Sequence, residues 1–321
     1  MSLIFKPGNA QKQPRDPRLQ NKQILAWLHL LKNCAEKPSR RRVHAVRVAT
    51  LRLLATVEAA LAELSDRPDE AATVRRWIKQ ATRLRSALSA IREIDVNRSS
   101  LARVRLTFNN PACARVHTAQ ALQRKADRLD DHLKRRRKRA EKRFAAHIAM
   151  HGARLRDLTD ALGCALSEWS ATTHSRSINA LTLQLAKEYT EFTPENMHAF
   201  RKRLRKVRYL AEASDASDRS TWRVVRMLRK LQIAIGAWHD WDALAGEARK
   251  ARRGAAAKDS LTALLEELAS ESLTKAVHSC ELSMEELRTL LAGKETRGCN
   301  AEKRRVQPVV VSRAMGALRR A

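Results

Sequence analysis

Residues that interrupt helices are scarce in this sequence, which holds 9 glycines and 8 prolines among 321 residues. Alanine, leucine, arginine, glutamate and lysine dominate instead, and these residues lose little free energy on entering a helix. Residues 309–311 are a strand-like valine run, but one isolated run cannot build a sheet. The composition therefore predicts an all-α fold.

Cysteines and long apolar runs are also scarce. The five cysteines are scattered without a Cys-x-x-Cys spacing, so neither a disulfide framework nor a zinc site is indicated. No window approaches the roughly 20 apolar residues of a membrane span, and residues 1–15 hold no signal-peptide core. We expect a cytoplasmic protein that uses no membrane, metal or cofactor.

Acidic residues are outnumbered, with 34 Asp and Glu against 64 Lys and Arg, which gives a formal net charge of +30. Hydrophobic residues make up 44% of the chain, enough for a real core, so a folded protein carries this charge. A polyanion is the natural partner, because each neutralised phosphate releases a condensed counterion.

The pattern along the chain predicts one long helical region between two polar ends. Residues 1–20 hold three prolines among polar residues and predict a flexible arm. From residue 21 to about residue 292 the pattern is helical, with short interruptions. Residues 293–321 are basic with little periodicity, and we expect a disordered tail.

Two parts of the helical region repeat each other. Val-His-Ala-Val-Arg at 43–47 returns as Met-His-Ala-Phe-Arg at 197–201, and a glutamate, Glu58 or Glu212, lies fourteen residues after each histidine. A constant offset of 147 aligns residues 88–95 with residues 235–242. The repeat predicts two helical halves, about 21–175 and 178–292, related by a pseudo-two-fold axis.

Each copy of the repeat carries a basic helix face. In the second half the face consists of His198, Arg201, Lys202, Arg205, Lys206 and Arg208, with Tyr209 at its edge. In the first half it consists of Arg40, Arg41, His44, Arg47 and Arg52, with Leu51 and Leu54 at the positions that match Arg205 and Arg208. Because like charges one turn apart destabilise a helix, an anionic ligand explains the face better than solvent exposure.

Further along the chain, each half carries a second basic stripe with i, i+3, i+7 spacing. These stripes are Arg76, Lys79 and Arg83 in the first half, and Arg223, Arg226 and Lys230 in the second. Four stripes of one sign can line one channel. No carboxylate or cysteine stands one turn from His44 or His198, which favours imidazoles that hydrogen-bond in the interior or face phosphate over metal ligands.

The motifs VHAVRVATLR at 43–52, MHAFRKRLRKVRYLAE at 197–212 and AIGAWHDWD at 234–242 resemble the CHAD family, the conserved histidine α-helical domain. The resemblance implies two four-helix-bundle halves around a basic central cavity that binds inorganic polyphosphate, often on polyphosphate granules. It matches His44, Arg47 and Arg52 to the first motif, and His198, Arg201, Arg205, Lys206, Arg208 and Tyr209 to the second. Leu51 and Leu54 depart from the family's basic positions, which predicts a weaker grip by the first half.

Polyphosphate binding without catalysis is therefore the function that we expect. The sequence holds no glycine-rich phosphate loop, nucleophile elbow or clustered metal-binding carboxylates, so we do not expect an enzyme. One alternative is nonspecific binding of DNA or RNA, although aromatic residues, at 4%, offer few platforms for stacking bases. A scaffold that holds acidic partner proteins is a third possibility.

Overall fold

The all-α prediction is confirmed by a computed structural model, which describes residues 18–108, 116–166, 174–213, 219–251 and 260–305. Within these ranges there are eight helices and no strand. The helices are α1 (Arg18–Glu36), α2 (Arg40–Leu61), α3 (Pro68–Phe108), α4 (Val116–Ala165), α5 (His174–Glu188), α6 (Pro194–Ala213), α7 (Arg219–Ala251) and α8 (Ser260–Arg305). None of these helices has the length and apolarity needed to cross a bilayer.

The predicted arm and tail lie mostly outside the described residues. Helix α1 begins at Arg18, within the arm predicted for residues 1–20. At the other end α8 continues to Arg305, beyond the predicted limit of residue 292, because this stretch holds no proline before Pro308. Residues 306–321 of the predicted tail are outside the description.

Short polar motifs begin the two helices that carry the repeated histidine. At the start of α2, Ser39 accepts a hydrogen bond from the Arg42 backbone nitrogen at 3.3 Å. At the start of α6, the Thr193 backbone nitrogen donates to Asn196 Oδ1 at 3.0 Å, and the Asn196 backbone nitrogen donates to Thr193 Oγ1 at 3.4 Å. Pro194 takes the first helical position, where a missing N–H costs nothing. These caps fix where the basic faces start.

Two buried tryptophans hold α1–α4 together. The rings of Trp27 and Trp77 meet edge to face, with their centroids 5.8 Å apart. Trp27 Nε1 donates to Thr50 Oγ1 at 2.9 Å, which ties α1 to α2, and Trp77 Nε1 donates to Thr159 Oγ1 at 3.0 Å, which ties α3 to α4. All four side chains are buried, so each indole N–H has its partner away from water.

Helices α5–α8 share a second core. Phe200 of α6 lies between Tyr189 and Phe192, with ring centroids 4.8 and 4.9 Å away. The end of α7 and the start of α8 do not belong to this core alone, because Leu244 and Leu261 pack into the core of α1–α4. Helices α7 and α8 therefore contribute side chains to both cores.

The basic helices of the two predicted halves contact each other. Helix α2 packs against α6, and α3 packs against α7. The duplication itself, and a central cavity between the halves, stay predictions. The observed helix contacts do bring the two histidine-bearing helices side by side.

We expect Thr50→Val to lower the free energy of unfolding by about 1–3 kcal/mol, because Val fills the space but leaves Trp27 Nε1 buried without an acceptor. The matched control is Thr289→Val on the exposed surface of α8, where the change should stay within about 0.5 kcal/mol. Urea unfolding measures both. Equal effects of the two substitutions would show that the indole hydrogen bond does not hold the core.

Candidate functional site

Two ion pairs cross the contact between α2 and α6. Arg52 Nη2 of α2 lies 3.2 Å from Glu212 Oε2 of α6, and Lys206 Nζ of α6 lies 2.6 Å from Glu58 Oε2 of α2. The offset of 154 residues that relates His44 to His198 also relates Arg52 to Lys206 and Glu58 to Glu212. The two ion pairs are therefore equivalent under the repeat, with the cation on α2 in one pair and on α6 in the other.

Arg208 and Tyr209 are part of the packing between these helices. Arg208 is 8% exposed and pairs with Glu212, and its guanidinium carbon lies 4.4 Å from the centre of the Tyr209 ring. Tyr209 is 4% exposed and packs against Ala55 of α2. The sequence placed Arg208 on the basic face and Tyr209 at its edge, and in the structure both side chains are buried where α2 and α6 meet.

Five arginines from three helices come together beside this contact. This arginine cluster consists of Arg47 of α2, Arg85 and Arg92 of α3, and Arg201 and Arg205 of α6. Burial, and then the charge of Arg205, lower the pKa of both Arg47 and Arg201 from 12.5 to about 10. Burial also lowers the pKa of Arg205, where the charge of Arg85 adds to the effect. The cluster is thus a concentrated and partly desolvated positive charge.

The central arginines of the cluster have few partners. Arg47 Nε donates to Ser89 Oγ at 3.1 Å, while the Nε atoms of Arg201 and Arg205 are buried without a hydrogen-bond acceptor. Within the described ranges, no carboxylate forms an ion pair with any of these three side chains. Asp240 of α7 offsets part of the charge on Arg201 without pairing with it. These guanidinium groups are available to an anion.

The two repeated histidines flank the cluster in different surroundings. Burial and then the charge of Arg92 lower the pKa of His44. Burial and then His239 lower the pKa of His198, whose Nε2 lies 3.7 Å from Asp242 Oδ2. Both imidazoles therefore bind a proton less readily than a free histidine does. Among the described residues, no three metal-binding side chains are grouped closely enough to hold an ion.

The remaining residues of the predicted α2 and α6 faces are exposed. Arg40 and Arg41 stand at the start of α2, and Lys202 points to solvent from α6. Arg40 lies close enough to lower the pKa of Arg92, so it borders the arginine cluster. No contact places Arg41 or Lys202 in the cluster.

The second basic stripes do not converge with the cluster, because they lie on another side of α3 and α7. On a wheel of about 100° per residue, the α3 stripe of Arg76, Lys79 and Arg83 lies about 120–180° from Arg85. Arg83 is near His147 of α4 instead. The corresponding α7 residues Arg223, Arg226 and Lys230 are also exposed, and the Arg226 guanidinium stacks 5.4 Å from the Trp222 ring centroid. The single channel lined by all four stripes stays a prediction.

Sequence reasoning missed Arg85 and Arg92, the cluster residues that α3 supplies. The signal was present, because Arg85, Ser89 and Arg92 follow i, i+4, i+7 spacing and so share one face of α3. Arg92 also lies in the repeated segment, opposite His239 at the offset of 147. The cations at 76, 79 and 83 were preferred because they recur in both halves, and this other face of α3 was not considered.

Comparison with known proteins identifies one relationship. The model of the CHAD domain matches residues 20–249, which run from α1 to near the end of α7. Helix α8 lies beyond the matched residues. No curated protein and no solved structure matches the chain.

We expect Arg201→Gln to raise the free energy of unfolding of the ligand-free protein by about 1 kcal/mol. The pKa of Arg201 is lowered on folding, so its charged form is disfavoured in the folded state at every pH below about 10, and a neutral side chain removes that penalty. The control is Arg154→Gln, an exposed residue of α4, which should change little. A loss of stability in Arg201→Gln would show that the cluster is not strained by repulsion.

Proposed function

Because the chain belongs to the CHAD domain family, we propose that it binds inorganic polyphosphate at the arginine cluster and does not cleave it. The observation that carries the proposal is the partial burial of Arg47, Arg201 and Arg205 without a carboxylate partner. Folding normally pairs such charges, since an unpaired buried charge is costly. An external polyanion supplies the missing partner.

The arrangement of the cluster suits a linear chain of phosphates. Helices α2, α3 and α6 each present guanidinium groups, which bind phosphate oxygens with two parallel hydrogen bonds. A bound chain would therefore be held from several directions. Trp238, the aromatic residue beside His198 with ring centroids 4.7 Å apart, is buried and offers no open face for stacking bases. Trp238 therefore supplies no stacking platform for a base at this site.

The first half contributes more arginines to the cluster than its basic α2 face suggested. That face supplies only Arg47 to the cluster. Arg85 and Arg92 of α3 also belong to the first half, however, whereas α7 supplies the acidic Asp240. We therefore propose that both halves hold the chain, with α3 taking the role that the sequence assigned to α2.

The proposal is a binding role and not an enzymatic one. The side chains around the cluster are guanidinium and imidazole groups, which hold phosphate but do not by themselves activate water for attack on phosphorus. A protein with this site would collect where long polyphosphate collects, so we extend the proposal to polyphosphate granules.

We expect the purified protein to bind long-chain polyphosphate, and Arg201→Gln with Arg205→Gln to weaken binding at least about 100-fold. Each charge-assisted hydrogen bond contributes about 1.5–3 kcal/mol, and two are lost. Affinity of the unaltered protein should also fall steeply between about 50 and 200 mM salt, because several phosphates are neutralised together. Titration of labelled polyphosphate at several salt concentrations measures both effects.

The matched control is Arg154→Gln with Arg156→Gln, which removes the same charge from an exposed part of α4. Similar losses in the two double variants would mean that diffuse charge does the binding. Duplex DNA at equal phosphate concentration is the competitor. If DNA displaces polyphosphate at parity, the protein is a nonspecific nucleic-acid binder.

Binding should strengthen as the pH falls from about 7.5 to 6. The pKa values of His44 and His198 are lowered in the free protein, and a bound polyanion favours their protonated forms, so binding takes up protons. His44→Gln with His198→Gln should flatten this dependence. An unchanged pH dependence in the double variant would show that neither imidazole faces the ligand.

A further inference from the structure

A groove between α3 and α4 adjoins the arginine cluster. Its inner part is a cavity of about 490 Å³ lined by Arg40, Asp95, Arg98, Ser99, Ala102 and Arg137. A second cavity of about 420 Å³ shares Arg98 and Arg137 with the first and reaches Arg135 and Lys138 of α4. The two cavities adjoin at these shared side chains, and we call them together the α3–α4 groove.

The groove begins where the arginine cluster ends. Arg40, which lines the inner cavity, is close enough to Arg92 of the cluster for its charge to act on it. Ser99, another lining residue, follows Arg92 by two helical turns, about 10 Å along α3 and on nearly the same face. A linear ligand that passes Arg92 along α3 meets the groove next.

The groove keeps an excess of positive charge after its internal pairs are counted. Arg137 Nε donates to Asp95 Oδ1 at 2.7 Å and Arg137 also pairs with Glu141, while Lys134 Nζ lies 2.9 Å from Asp131 Oδ1. Arg98, too, is paired, with a carboxylate outside the lining. The lining cations without a carboxylate partner in the described part of the chain are Arg40, Arg135 and Lys138.

The opposite direction, toward the second half, lacks such a path. The second-half counterparts of Arg40, Arg92 and Arg98 are Pro194, His239 and Ala245, none of which carries a permanent charge. Two carboxylates stand at that end instead, with Asp242 Oδ2 3.7 Å from His198 Nε2 and Asp240 close to Arg201. The three arginines that lead into the α3–α4 groove therefore have no permanently charged counterparts at the equivalent positions of the second half.

We propose that the α3–α4 groove is a second phosphate subsite, which only long chains reach and along which a bound polyphosphate leaves the arginine cluster. The inference rests on the proposed function, since it assumes that the cluster holds the first part of the chain. Short phosphates occupy the cluster alone, and long ones gain contacts with Arg135 and Lys138.

The test compares tripolyphosphate with long-chain polyphosphate on full-length variants whose folding is checked by circular dichroism. The groove variant is Arg135→Gln with Lys138→Gln, two exposed and unpaired residues of α4. We expect it to bind long chains about tenfold more weakly and tripolyphosphate within about twofold of the unaltered protein. The control is Arg154→Gln with Arg156→Gln, with the same charge change on the same helix.

Each other outcome overturns the groove subsite. Equal losses of long-chain affinity in the groove and control variants would mean that only net charge matters. Unchanged long-chain binding in the groove variant, or an equal loss for both ligands, would show that the groove is not an extension reached by long chains. If the unaltered protein binds neither ligand, the proposed function fails as well. If it binds both ligands but the groove variant does not behave as expected, only the groove subsite is overturned.

Discussion

The close packing of α2 against α6 is the constraint on which the site depends, because both helices carry positive faces. Two such faces cannot meet unless some of the charge is removed or paired. At one end the reciprocal pairs of Arg52 with Glu212 and of Lys206 with Glu58 convert repulsion into attraction. Elsewhere at the contact an apolar residue takes the place of a charge, since Leu51 packs with Ala55 and Tyr209.

This packing gives Leu51 and Leu54 a different meaning from the one that the sequence suggested. As departures from a basic pattern they predicted a weaker first half. Leu54 is in fact 3% exposed and belongs to the core, and Leu51 packs at the helix contact. An arginine at position 51 would have placed a further cation against those of α6 at this contact. Leu51 thus allows α6 to keep its own arginines close to α2, while Leu54 packs in the core of α1–α4.

The all-α fold class and the positions of the basic helices could be predicted from the sequence, because both depend on patterns among residues close together in the chain. Composition and periodicity fix which residues form helices and which face of each is apolar. Which cations face one another depends on how helices pack, and a single sequence does not contain that information directly. Arg85 and Arg92 were therefore missed, while the stripe of Arg76, Lys79 and Arg83 was chosen, which lies exposed on another side of α3.

The sequence also could not show which of the cations form ion pairs with carboxylates. Arg52, Lys206 and Arg208 match the basic motif as well as Arg201 and Arg205 do, yet the first three are neutralised by glutamates of α2 and α6. The glutamates fourteen residues after each histidine were visible as a repeat, and the i, i+4 spacing of Arg208 and Glu212 favours a pair within α6. The second pair of Glu212, with Arg52, requires the contact between the helices.

The unpaired arginines couple binding to stability. A ligand that binds only the folded state stabilises it by about 2.7 kcal/mol at a hundred times its dissociation constant. If the cluster binds polyphosphate as we propose, part of that gain comes from relief of the repulsion among its arginines. Diffuse surface charge offers much less of this gain, since water and salt already screen it. On the same proposal, a fixed cluster discriminates a dense, linear phosphate chain from other anions better than the large net charge of the chain alone can.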